Sequence, residues 1–109
     1  MSNPLRAEAS VELAGQRYVL RLTLQALAEI EAAFAVKGLD ALGSRLSGGN
    51  LGAQDLLALL GALIRGGGGR IANADLASRI EARDLPILIE AIGAVFTTSF
   101  GESEAADPR

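Results

Sequence analysis

The segment VELAGQRYVLRLTLQALAEIEAAF, Val11 to Phe34, limits the choice of fold most. Its hydrophobic rhythm changes from alternation to helical spacing with no proline, and no glycine after Gly15, to mark the join. Ala7, Ala9, Val11 and Leu13 alternate with Glu8, Ser10 and Glu12, and then Tyr18, Leu20 and Leu22 alternate with Arg17, Val19 and Arg21. A period of two is that of a half-buried strand. A two-residue turn at Ala14-Gly15 sets Val11 opposite Tyr18 and Ala9 opposite Leu20 on one face. It sets Glu12 opposite Arg17 and Glu8 opposite Arg21 on the other. Two such charge pairs, worth roughly a few tenths of a kcal/mol each, fix register more than they stabilise. Asn-Gly or Asp-Gly would suit the turn better, because Ala14 is strained at positive φ. A longer loop around Gly15 that keeps the same faces is the alternative. Val19 is the one apolar residue on the polar face and hints at something covering it.

From Thr23 the period shifts to three- and four-residue steps through Leu24, Leu27, Ile30 and Phe34, predicting a helix from about Leu24 to Val36. Thr23 serves as its N-cap, Glu29 lies near the positive end, and Lys37-Gly38 supplies a cation and a left-handed terminator. The buried face of the second strand would then continue through Leu24 into the helical stripe. Leu39, Leu42 and Leu46 predict a short second helix ended by SGGN, Ser47 to Asn50.

In AQDLLALLGALIR, Ala53 to Arg65, leucines wrap more than one side, which marks the central and most buried helix. Gly61 in its middle lowers helix stability by about 1 kcal/mol relative to alanine, so a close crossing is expected there. Asn73 can cap a shorter helix carrying Leu76, Ala77 and Ile80. Asp84 can cap the last one, with Pro86 tolerated in its first turn because the amide it lacks has no intrahelical acceptor. The expected fold is α+β and mostly α: an N-terminal β-hairpin followed by a bundle of about five helices. One domain over residues 1–100 is expected, with 101–109, GESEAADPR, as a polar, disordered acidic tail.

Composition removes several classes of function. The 109 residues contain no cysteine and no histidine, which takes away disulfides, thiolate chemistry, and the commonest general base and metal ligand. The net charge is −3 and the ten cations are scattered, which argues against nucleic acid as a partner. MSNPLRAEAS has no apolar core of a leader and no run approaches the roughly 18 residues of a membrane span. A cytoplasmic, membrane-independent protein is the expectation.

RGGGGR, Arg65 to Arg70, is the obvious candidate for an anion site, yet it follows a helix and lacks the Lys and Ser or Thr of a phosphate loop. A flexible interhelical linker is the simpler reading of it, and of SGGN. Glu29 and Glu31 point to different sides of one helix, and Glu81 and Asp84 flank a helix boundary, so neither pair suggests acid/base work. Ser44, Ser47, Ser78 and Ser99 have no histidine to activate them. No catalytic, cofactor or metal site is expected. The last helix carries a stripe of Leu85, Leu88, Ile89, Ile92, Val95, Phe96 and Phe100. Its simplest role is packing on the central helix. A stripe larger than a small core can cover would serve as a partner surface instead, and Leu88, Ile89, Ile92, Phe96 and Phe100 are the residues chosen for it.

NPLRAEASVELAGQRYVLRLTLQALAEIEAAF, then GLDALGSRL, then AQDLLALLGALIRGGG together resemble a small family from gene transfer agents and tailed bacteriophages. The resemblance covers roughly residues 3 to 69, with the run Leu20 to Phe34 its most distinctive part. Ala14-Gly15 departs from a more typical Asp-Gly, and Gly52 stands where a Ser cap often precedes the central helix. The family is described both as a tail assembly chaperone and as a tail tube protein. The resemblance implies a non-enzymatic tail assembly factor that coats the tape measure protein and recruits tail tube subunits in the host cytoplasm. The alternative it implies is a structural tube subunit that stays in the particle. Partners would be the tape measure and tail tube proteins, and a second copy of the chain.

Overall fold

The computed structural model describes residues 8–97. Two antiparallel strands, β1 (Glu8–Leu13) and β2 (Gln16–Arg21), are followed by α1 (Leu24–Phe34), α2 (Leu39–Ser47), α3 (Ala53–Gly66), α4 (Asn73–Ala77) and α5 (Leu85–Phe96). A 3-10 turn, Ala82–Asp84, leads into α5. The register pairs Glu8 with Arg21, Ala9 with Leu20, Val11 with Tyr18 and Glu12 with Arg17, as the alternation predicts. The two-residue turn is present with φ of 52° at Ala14 and 80° at Gly15. Glu8 and Arg21 form the expected ion pair, Nε to Oε2 at 2.8 Å. Glu12 and Arg17 do not form one among the described residues, since the Arg17 guanidinium reaches Ser10 Oγ at 3.4 Å instead.

Helix α1 starts as predicted, with Thr23 Oγ1 accepting from the Ala26 N–H at 3.0 Å. Its end differs. Ala35, at φ 58°, takes the left-handed position, with Val36 N–H bonded to Glu31 O at 3.1 Å and Ala35 N–H to Ala32 O at 3.3 Å. This double closure ends the helix at Phe34 and lets Val36 pack on the core. Gly38, at φ 90°, opens α2 instead. Leu24 is also not part of the shared apolar face: it is 84% exposed. At about 100° of rotation per residue, the centre of the face of Ala26, Leu27, Ile30 and Phe34 lies about 105° away from it.

Helix α3 is the centre of the core, with every residue from Leu59 to Ile64 buried. It packs against α1 on one side and β2 on the other. Gly52 begins it without a side-chain cap, and Asp55 accepts the Gly52 N–H at 3.0 Å in place of one. Asp55 also holds Arg45 at 3.1 Å. The Gly52 amide first, then the Arg45 guanidinium, hold its carboxyl below the usual aspartate range. The close crossing expected at Gly61 is with Asn73, whose side chain occupies the space a Cβ would need. Asn73 is therefore not a cap: Ala72 precedes α4 without a side-chain bond, and Asn73 Oδ1 accepts from Arg65 at 3.2 Å. Asp84 likewise does not cap α5. Its carboxylate turns back to the Glu81 N–H at 2.9 Å and closes the 3-10 turn.

The end of α3 runs along the outer edge of the hairpin. In a two-residue hairpin the pairs Leu13–Gln16, Val11–Tyr18 and Ala9–Leu20 bond inward, so the backbone groups of Arg17, Val19 and Arg21 point outward. A Cβ at Gly66 or Gly67 would collide with the carbonyl oxygens of Arg21 and Val19 respectively. The two glycines thus close the β2 edge by direct backbone approach.

Candidate functional site

The stripe on α5 divides between core and surface. Leu88, Ile92, Val95 and Phe96 are buried, whereas Leu85 and Ile89 are 37% and 54% exposed. Phe100 lies outside the described residues. Contrary to the simplest expectation, α5 packs chiefly on β1 and makes only slight contact with α3. The reason lies in the hairpin. Val11 and Leu13 turn their side chains to the same face as Tyr18 and Leu20, and α3 covers the β2 half of that face, leaving the β1 half to α5.

Two helices on the same hairpin, hardly touching each other, leave a groove between them. Its volume is about 400 Å³ and its lining is almost wholly apolar. Leu51, Leu56, Leu57 and Leu60 form one wall and Ile80, Leu85, Leu88 and Ile92 the other. Of the five residues chosen from sequence as a partner surface, Leu88 and Ile92 line this groove, while Ile89 and Phe96 do not. Leu56, Leu57, Leu51 and Ile80 were not among those chosen. The signal for them was present: α3 has leucines around more than one side, and the surplus face has to meet something.

Most of the other candidates among the described residues are held by local contacts, and Ser99 lies outside the described residues. Arg65 is drawn into an internal network, with Nη2 bonded to Glu29 Oε1 at 2.9 Å and Nη1 to Ile71 O at 3.0 Å. Glu29 is thus an ion-pair partner of α3, with its side chain 35% exposed. Glu31 accepts the Gly38 N–H at 3.1 Å. Ser47 Oγ donates to Gly43 O at 2.8 Å, and Ser78 Oγ to Asp75 O at 2.7 Å. Among the described residues no cluster of acidic side chains is arranged to hold a metal ion, and no helix is long and apolar enough to cross a membrane. What the groove offers chemically is apolar area with few polar groups, suited to the hydrophobic face of another helix.

Comparison with known proteins matches residues 6–101 to the family described as phage tail tube protein, GTA-gp10. No curated protein and no solved structure matches the chain.

Proposed function

This chain belongs to the phage tail tube protein family, GTA-gp10, and from that membership we propose that it is a component of a phage-like tail, acting by binding other tail proteins and not by catalysis. The observation that carries the proposal is the family match, which spans all of the described residues. A tube subunit that remains in the finished particle is the reading it favours. One unit over residues 1–100, followed by the acidic segment 101–109, would form the subunit, made and assembled in the host cytoplasm. Its contacts with neighbouring tail proteins, including further copies, would use the apolar groove between α3 and α5.

A second reading is favoured by the groove itself. An open apolar channel on a mostly helical protein suits capture of an amphipathic helix, which is what an assembly factor for the tape measure protein needs. In this reading the chain holds tape measure helices and recruits tube subunits, then leaves. Counting the protein in purified mature particles separates the two. Many copies per particle support the tube subunit. Essentially no copies, together with co-purification of the tape measure protein from assembling cells, support the assembly factor. Absence from particles together with failure to bind either tape measure or tube protein rejects both.

A further inference from the structure

A second cleft, of about 440 Å³, lies between β2 and the loop that follows α3. Unlike the groove it is polar, and it is lined by Arg17, Arg70 and Arg79, with Tyr18 and Asp75. Elsewhere among the described residues, Arg21, Arg45, Arg65 and Arg83 are each neutralised in an ion pair. The described cations left without one are Lys37 and these three arginines. Among the described residues, three of the four cations without an ion pair are thus gathered at one concavity, in a chain whose net charge is negative. With three arginines against the single carboxylate Asp75, the concavity is net positive and raises the local concentration of opposite charge.

The arginines, and not the glycines, are the donors. The amides of Gly67, Gly68 and Gly69 are turned back to the carbonyls of Ile64 and Arg65, where they close α3. Arg79 is steadied by bonds from Nη1 to Tyr18 Oη at 2.7 Å and to Gln16 Oε1 at 3.3 Å, which leaves its other N–H groups unused. Arg70 is exposed and makes no hydrogen bond among the described residues. Several guanidinium forks around one cleft match a row of carboxylates.

The chain contains such a row. Residues 101–109 carry Glu102, Glu104 and Asp107 against the single cation Arg109. Helix α5 starts six residues after Arg79 and packs on β1, the hairpin strand away from the cleft. Its 12 residues carry the chain about 18 Å from that start before the acidic segment begins. A neighbouring molecule is the more direct source of the segment. We propose that residues 101–109 of one copy dock by their carboxylates in the Arg17, Arg70 and Arg79 cleft of the next, linking copies head to tail. This contact is separate from the apolar groove and does not depend on whether the protein stays in the particle.

The test uses the full chain and a labelled peptide of sequence GESEAADPR, with mass in solution measured over a range of protein and salt concentrations. Expected results are self-association that weakens as salt rises, and peptide binding weakened about tenfold by Arg70→Ala and further by adding Arg17→Ala. The variant E102Q/E104Q/D107N should lose self-association, and because its changes lie outside the described fold it remains informative if the arginine variants fail to fold. Equal binding of the peptide GQSQAANPR overturns the proposal, as does equal binding by the R17A/R70A variant. A wild-type chain that stays monomeric, with peptide binding appearing only in the tail-neutralised variant, overturns docking between copies and assigns the cleft to the chain's own tail.

Discussion

Gly66→Ala should destabilise this protein, although helix propensity alone predicts the reverse. Gly66 is the last residue of α3, and replacing a helical glycine by alanine ordinarily gains up to about 1 kcal/mol. At this position the new methyl would be driven into the Arg21 carbonyl oxygen, with Ala26 Cβ a further 3.3 Å neighbour. At Gly67 it would meet the Val19 carbonyl oxygen, and it would lie 2.8 Å from the carbonyl carbon and 3.2 Å from Val19 Cβ. These obstacles are backbone, so relief requires β2 to retreat by on the order of 1 Å from a core packed as densely as a crystal. Overpacking of that kind costs about 1–3 kcal/mol. Set against the propensity gain, a net loss of about 1 kcal/mol lowers the melting temperature by roughly 4–8 °C, given about 4–8 °C per kcal/mol in a domain of this size. Gly93→Ala is the control. It is also helical and exposed, has nothing within 4 Å of an added Cβ, and should gain up to about 1 kcal/mol. Urea denaturation of the three variants decides the matter. If Gly66→Ala matches or exceeds the wild type while Gly93→Ala behaves as stated, the closure of the β2 edge by α3 is wrong.

Ala14→Asn should stabilise the hairpin by about 1 kcal/mol, because φ is 52° at Ala14 and Asn tolerates that region where Ala does not. No gain in thermal unfolding would mean the turn is not left-handed at Ala14. Asp55, with its pKa held down by the Gly52 amide and Arg45, contributes stability that is present above the ordinary aspartate value of about 3.9 and lost as pH falls through its own lower value. Asp55→Asn should therefore be less stable than wild type at pH 7. The two unfolding curves should converge as pH drops below 4, and a gap independent of pH refutes the assignment. Leu85→Glu places a charge on the groove wall at a site already 37% exposed. Co-purification with tail proteins should fall by about tenfold or more with folding retained, whereas unchanged recovery removes the groove from the binding surface.

The hairpin register was legible in the sequence because period two leaves one alignment that buries Val11, Tyr18 and Leu20 together and also opposes Glu8 to Arg21. The five helices were legible for the same reason at period 3.6. Caps were less so. Asn73 and Asp84 have the right chemistry for N-caps, but each is claimed by a tertiary or adjacent partner, Arg65 in one case and the Glu81 amide in the other. Sequence spacing carries no information about which partner wins. The groove was only half legible. Leu88 and Ile92 belong to a visible stripe, but their lining role follows from α5 choosing β1 over α3, and that choice depends on how much of the hairpin α3 already covers. The arginine cleft was legible only at Arg70, the end of RGGGGR, which the sequence already marked as the candidate anion site. Arg17 is far from it in the chain and Arg79 lies outside the run, so nothing in the spacing joins them to Arg70, while Arg65 at the other end of the run is occupied internally.

The closed β2 edge bears on how copies could form a tube. A ring needs a heterologous contact, in which one surface of a subunit meets a different surface of the next. Ring formation by strand pairing would require both hairpin edges to be free, and Gly66 and Gly67 occupy one of them. Among the described strands, the outer edge of β1 then has only another β1 to pair with. An antiparallel pairing centred on Ser10 sets Glu8 opposite the neighbour's Glu12 and Glu12 opposite its Glu8, which is unfavourable. Such a contact would also be isologous and close at a dimer. Tube geometry, if this chain adopts one, must therefore come from helical and side-chain surfaces. The apolar groove and the arginine cleft are two distinct surfaces of that kind, and neither is its own complement, which is what a repeating head-to-tail contact demands.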